Sequence, residues 1–200
     1  MRKLSVLVVA VLLLMLAAWP AYADETLLSG DVDNGGFGGP GMKFTQVNGT
    51  AGTLVGGSGG WLIDHQLLIG GGGYGLAGKI KAPASAQPSD TTLYINMGYG
   101  GLVMEYTPNS GKLYHLDYSL LIGGGYVSYA KSNYDPNFDQ PGTTFFVAEP
   151  GVRLTLNVSD YFRAGVGASY RYVNGVELTG LDSAALSGVS ANLFFTFGQF

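Results

Sequence analysis

Few residues in this 200-residue chain have the types and spacing that chemistry needs. Its two histidines, His65 and His115, could act as an acid-base partner to a serine nucleophile. Gly70 to Gly75 fits G-x-G-x-x-G, the spacing of a nucleotide loop, but such a loop needs a helix N-terminus on the phosphates. Strand pattern follows here instead. Asp135-Pro136-Asn137-Phe138-Asp139 matches the D-x-N-x-D opening of a calcium loop. It lacks the glycine at the sixth place (Gln140) and the glutamate at the twelfth (Phe146). There are no cysteines, so disulfides, thiolate metal sites and a lipid-anchored cysteine are excluded. No catalytic, cofactor-binding or metal-binding set is expected. What remains is a group of eight charges, Lys43, Lys79, Glu105, Asp117, Glu149, Arg153, Arg163 and Arg171, each set among alternating apolar residues.

The elements that position those charges are strands. At the N-terminus, Arg2 and Lys3 precede an apolar run from Leu4 to Trp19, then Pro20 and Ala21-Tyr22-Ala23. This is the form of a cleavable signal peptide over residues 1–23. The run is shorter than the roughly 20 residues of a membrane-spanning helix. Cleavage after Ala23 removes two of the 10 basic residues and none of the 14 acidic ones, moving the net charge from −4 to −6. A nucleic-acid partner would want a basic face, so none is expected. Residues 24–38 are polar, acidic and glycine-rich, and read as a flexible periplasmic lead-in.

From residue 39 to 200 the chain alternates strand and punctuation. Strands are expected over about 39–47, 50–63, 66–81, 91–107, 112–131, 143–157, 161–173 and 189–200. Asn48-Gly49 favours a two-residue type I′ hairpin. Asp64-His65, Asn109 to Gly111 and Ser159-Asp160 are tight turns; 82–90, 132–142 and 174–187 are long loops. In the fourth strand Leu93, Ile95, Met97 and Tyr99 share one parity, and Leu102, Met104 and Tyr106 the other. A one-residue slip at Gly100-Gly101 would be a β-bulge, and Pro150 suggests a second. The facing of the third strand is ambiguous. The near-repeats Leu67 to Tyr74 and Leu120 to Tyr126 read as glycines that leave room for inward side chains and let strands coil. Leu193, Phe195 and Phe197 form the greasy face of the closing strand. Phe200 is out of phase with them, so either the strand bulges at Gly198 or Phe200 turns in. Left unpaired, this strand would aggregate, and the first strand is its expected partner.

The greasy sets are bulky, while the opposing sets are glycine, Ser, Thr, Asn and a few charges. Charged residues make up only 12% of the chain, against about 25% in soluble domains. A soluble eight-stranded barrel keeps its apolar residues inside; a membrane barrel inverts this. The expected fold is therefore all-β, an eight-stranded antiparallel up-and-down transmembrane β-barrel. Eight strands enclose only enough space for side chains. The eight charges are assigned to that lumen as a pairing network, with Glu149 and Arg153 two inward positions apart.

The signal, the eight alternating strands, the three long loops on one side and the terminal Phe200 resemble the small outer-membrane β-barrels, the outer-membrane protein A/X type and porin-like barrels of unassigned role. No domain follows the last strand, so the peptidoglycan anchoring of the protein-A type is not implied. The resemblance implies export to the cell outer membrane, contact with outer-membrane lipid, insertion by the barrel-assembly machinery and a monomer. It implies a structural or surface-interaction role with a plugged lumen, with a minor pore or small-solute channel as the alternative. A lipid-modifying enzyme is the third reading. His65 and His115 both fall at the tight-turn end, whereas such enzymes act on the opposite leaflet. Asp90, Glu177, Asp182 and the 135–139 run make the outer loops acidic and open to weak contact with divalent cations.

Overall fold

The computed structural model describes residues 34–89, 91–131 and 142–200. The expected signal peptide, most of the lead-in, Asp90 and the 135–139 run lie outside these residues. Eight long strands run β1 Asn34–Val47, β2 Thr50–Ile63, β3 Leu67–Ala77, β4 Tyr94–Tyr106, β5 Tyr114–Ala130, β6 Gly142–Ser159, β7 Phe162–Asn174 and β8 Gly188–Gln199. Each pairs antiparallel with its chain neighbour. The β3–β4 pairing spans the long 78–93 connection, and one further pairing, β1 with β8, closes the sheet into a barrel. The last strand thus meets the first, with Met42 opposite Leu193 and Gly38 opposite Phe197. Closure leaves no edge strand open to aggregation.

Turn chemistry sets the two ends. Asn48 and Gly49 both have positive φ (50° and 71°), as a type I′ hairpin requires. Asp64 and His65 do the same (51° and 53°), and Gln66 N–H closes that turn on the Ile63 carbonyl at 3.1 Å. The tight turns at 64–66, 107–113 and 160–161 mark the inner end. The outer end carries the 78–93 and 175–187 connections. The latter holds a two-strand ribbon, Glu177–Leu178 with Leu181–Asp182, and one helical turn, α1 Ser183–Leu186, capped by Asp182 accepting from Ala185 N–H.

Several expectations need correction. Strand β1 begins at Asn34, so residues 34–38 belong to the wall: Gly36 and Gly38 pair with Trp61 and Gly59. Strand β3 stops at Ala77, with a short Ile80–Lys81 piece beyond Gly78 (φ 100°). Neither expected bulge is present. The β4 ladder runs unbroken from Tyr94 to Tyr106 against β5, through Gly100 and Gly101. At Pro150 the ladder with β7 lapses between Ala148 and Gly151 and resumes in the same register. Proline lacks the N–H but keeps extended backbone, so it costs bonds without inserting a residue. The register shift lies at Asn157/Ser159, beside the inner turn. At the other end of β8, Phe200 turns in, its ring 5.2 Å from that of Phe37.

Because β4 has no slip, Ile95, Met97 and Tyr99 share the inward face with Val103 and Glu105. This corrects the expectation that the greasy set of β4 faces the membrane along the whole strand. The interior is layered. At the outer end Val47, Leu54, Ile80, Ile95, Val127, Val147 and Val173 pack on Leu181 and Leu186 of the 175–187 segment. Charges fill the middle. Phe37, Leu62 and Leu68 close the inner end with Phe200 against them. The glycines of the β5 repeat make room for this filling: a Cβ at Gly125 would run into the Phe145 ring and the Gly98 carbonyl.

Candidate functional site

Among the described residues, the middle of the lumen is where the barrel gathers reactive side chains. They come from inward positions on β1, β4, β5, β6, β7 and β8, and they form two clusters. In the upper cluster Lys43 Nζ lies 2.8 Å from Glu149 Oε2. Tyr99 donates to the same oxygen at 2.6 Å, and Ser169 donates to Oε1 at 2.6 Å. Asn192 donates to Ser169 Oγ at 3.0 Å. Lys43 also sits over the Tyr74 ring, 3.7 Å from its centroid. Both carboxylate oxygens of Glu149 therefore meet a donor, as a buried carboxylate needs.

In the lower cluster Arg153 Nε donates to Asp117 Oδ2 at 2.8 Å, and its Nη2 pairs with Glu105. Thr155 donates to Asp117 Oδ2 at 2.5 Å. His115 completes the group, with Nε2 3.3 Å from Asp117 Oδ1 and Nδ1 3.3 Å from the Lys112 carbonyl. One guanidinium thus serves two carboxylates from two other strands, a use for which its fork of donors is suited. Glu149 joins Lys43 and not the Arg153 group, although the two residues are only two inward positions apart on β6.

The two remaining arginines bond to main chain. Arg171, with no exposed surface, donates through Nε to the Leu186 carbonyl at 2.7 Å and through Nη2 to the Gln46 carbonyl at 3.3 Å. It ties the outer segment to the β1–β2 hairpin, where Asn48 N–H donates to the Ala185 carbonyl at 2.7 Å. Arg163 reaches the Ser110 carbonyl at 3.5 Å and covers the Phe200 ring at 3.8 Å. Lys79 is the exception among the eight assigned charges. It lies beyond the end of β3, exposed, with Nζ 5.4 Å from the Tyr94 ring. The predicted strand ran too far and carried its parity with it.

Between the clusters lies a cavity of about 40 Å³, lined by Lys43, Glu105, Asp117, Glu149, Arg153 and Asn192 among others. That is room for a few water molecules and for nothing larger. Among the described residues no group of His, Asp and Glu is arranged to hold a metal ion. His65 sits in the β2–β3 turn, and His115 is buried against Asp117 at the same inner end. Gly70 to Gly73 and Gly123 to Gly125 lie within strands, and strand continues past them to Ala77 and Ala130.

Sequence reasoning missed Tyr99, Tyr74, Ser169 and Asn192 as members of the network. For Tyr99 the signal was present, because it shares parity with Glu105 along β4. The exterior is the opposite surface: Val152, Leu154, Leu116, Tyr118, Leu102, Val166 and Phe197 are all exposed.

No protein-family model matches this chain, and no curated protein matches it. Solved structures do. Neisserial surface protein A (NspA) superposes with a TM-score of 0.60 at 11% identity, covering 86% of this chain and 100% of that one. The N-terminal β-barrel domain of Pseudomonas aeruginosa OprF superposes with a TM-score of 0.52 at 13% identity, covering 82% and 96%. At these identities the likeness is one of fold: the chain has the architecture of small outer-membrane barrels.

Proposed function

We propose that the chain is an integral outer-membrane β-barrel whose side-chain-filled lumen serves stability, and whose role is structural or a matter of contacts at the cell surface. One observation carries the reading: apolar side chains form the exposed belt while seven charges are buried inside and engaged there. In water this distribution would be costly on both faces. In a bilayer it is the favourable one, since only a closed barrel satisfies every backbone group of a spanning sheet. Aromatic residues rim the belt at two levels: Trp61, Tyr106, Tyr114 and Tyr161 near the tight turns, Phe44, Phe146 and Tyr170 toward the outer end. Interfacial girdles have this form. Contact with outer-membrane lipid, insertion by the barrel-assembly machinery and a monomeric state go with the reading. The lumen arrangement favours no enzymatic role, since the buried acids and bases bind one another.

Cell fractionation and gel migration with and without boiling test it. Recovery in the outer membrane and a heat-modifiable shift are expected; recovery in the soluble periplasmic fraction would sink the proposal. The minor-pore reading draws on the polar cavity, and planar-bilayer recording decides it. A silent bilayer is the result expected of a plugged lumen.

A further inference from the structure

Among the described residues no hydrogen bond or ion pair joins the upper ion cluster of the lumen to the lower one. Both clusters nevertheless line the cavity of about 40 Å³: Lys43, Glu149 and Asn192 belong to the upper one, Glu105, Asp117 and Arg153 to the lower. Part of that space is left by Gly151, which stands midway between Glu149 and Arg153 on β6 and lines the cavity with them. A Cβ there would lie 2.9 Å from Ser119 Oγ and 3.2 Å from Ser169 Cβ, so even a methyl group would take up room. A bound water needs about 10–15 Å³ of such space, so about three fit. Bulk water is shut out at the outer end by the apolar core of Val47, Ile95 and Val147.

Asn192 shows that this space has an occupant. The residue is 7% exposed, and its side chain lines the cavity. Ser169 has one hydroxyl proton, which it gives to Glu149 Oε1 at 2.6 Å. Toward Asn192 it can therefore only accept. This orients the amide: Nδ2 donates to Ser169 Oγ at 3.0 Å, and Oδ1 is left without a donor among the described residues. Turning the amide over would set its oxygen against a hydroxyl whose proton is already spent. A buried amide oxygen without a donor is costly, and a polar cavity beside it is where water supplies one.

The lining also chooses between water and an ion. Its charges are spent on one another, Lys43 on Glu149 and Arg153 on Glu105 and Asp117. A cation or an anion would gain no free counter-charge there, whereas water both donates and accepts. We infer that the cavity is a water-binding site, in which bound waters join the two ion clusters into one hydrogen-bonded network with Asn192 Oδ1 as a fixed acceptor. The inference goes beyond the proposed function: it rests on the filled lumen and not on the membrane reading.

Crystallography of the folded protein, at a resolution that shows ordered water, tests it on native crystals and on crystals soaked in rubidium bromide. Density is expected within hydrogen-bond distance of Asn192 Oδ1, in a chain of peaks that also reaches Glu105, Asp117 or Arg153. Neither rubidium nor bromide should give an anomalous peak in the cavity. A dry cavity would overturn the site, and peaks that touch one cluster only would overturn the joining of the two. An anomalous peak would give the site to an ion and overturn the water. Asn192→Leu should lose the peak at that oxygen, and Gly151→Ala at least one peak, with the Lys43–Glu149 and Arg153–Asp117 pairs still in contact. Retention of every peak in both variants would also overturn the site. Where a variant does not fold, the parent crystals alone decide. Recovery of the protein in the soluble periplasmic fraction would overturn the membrane reading alone, a separately visible result.

Discussion

The outer and inner halves of this barrel are built on the same eight strands but solve opposite solvent problems. In the inner half the charged Glu105, Asp117 and Arg153 face in, while Leu102, Leu116 and Leu154 face out. In the outer half Val47, Ile95, Phe145 and Val173 face in, and beside them Gln46, Asn96, Thr144 and Asn174 stand on the outer face. In β4 the apolar face thus crosses the wall partway along the strand, from inward Ile95 and Met97 to outward Leu102, without any change of register. The lower part follows the rule of a membrane barrel and the upper part that of a soluble one. The upper core, covered by Leu181 and Leu186, is a dry plug of the kind that stabilises a water-soluble domain. Below it, stability depends on charges that must be paired because water is excluded on both sides.

That contrast can be broken most severely from below. Arg153→Met leaves Glu105 and Asp117 facing each other unpaired, and should cost about 3–5 kcal/mol in urea unfolding from lipid vesicles. Neutralising the partners as well, in Arg153→Met/Glu105→Gln/Asp117→Asn, should restore most of the loss. If the triple variant is as unstable as the single one, charge pairing is not what holds the inner half. From above, Leu186→Ala should cost about 3 kcal/mol through the cavity it opens. It should also raise protease cleavage within 175–187, since Arg171 and Asn48 would hold a segment that no longer fills the mouth. Unchanged cleavage would mean that the segment is kept in place by its hydrogen bonds alone.

The level at which the two halves meet can be located with surface charges. Leu154→Lys places an ammonium in the apolar belt and should cost about 2 kcal/mol. Asn96→Lys, on the outer face of the upper half, should change stability by less than about 0.5 kcal/mol. Equal costs at both positions would show that the belt covers the whole strand and that the upper half is not in water.

Much of this was legible beforehand. Alternation in β5, β6 and β7 gave the facing of Asp117, Glu149, Arg153, Arg163 and Arg171, because around each charge the greasy and polar sets keep one parity. Turn residues located the hairpins, since Asn-Gly and Asp-His are short and accept positive φ. The misreading in β4 has a physical cause: a single greasy parity was expected to mark one side throughout, whereas the surroundings change along the strand and the backbone does not. Ile95 and Leu102 are of opposite parity because one faces a dry core and the other a belt. Lys79 went astray because Gly78 ends the strand just before it. The partners of Glu149 come from β1, β4 and β7, and pairings of such separation follow from closure geometry that no local pattern encodes.

The smallest predicted effect concerns the glycines, which serve different ends on the two faces of one wall. Inside, Gly125 is fixed by contact with Phe145, and Gly72 by Ser58 and Val103, 2.9 and 3.0 Å from a built Cβ. Alanine at either position has to displace a packed side chain. Outside, Gly75 and Gly98 have ordinary room and no positive φ, so alanine fits the native backbone there. Its effect should come from the unfolded chain, which loses conformational freedom when glycine is replaced. Gly75→Ala and Gly98→Ala should each stabilise the barrel in plain zwitterionic micelles by about 0.5 kcal/mol, while Gly125→Ala should destabilise it. A matching loss at the two outer positions would show that the barrel itself requires glycine there.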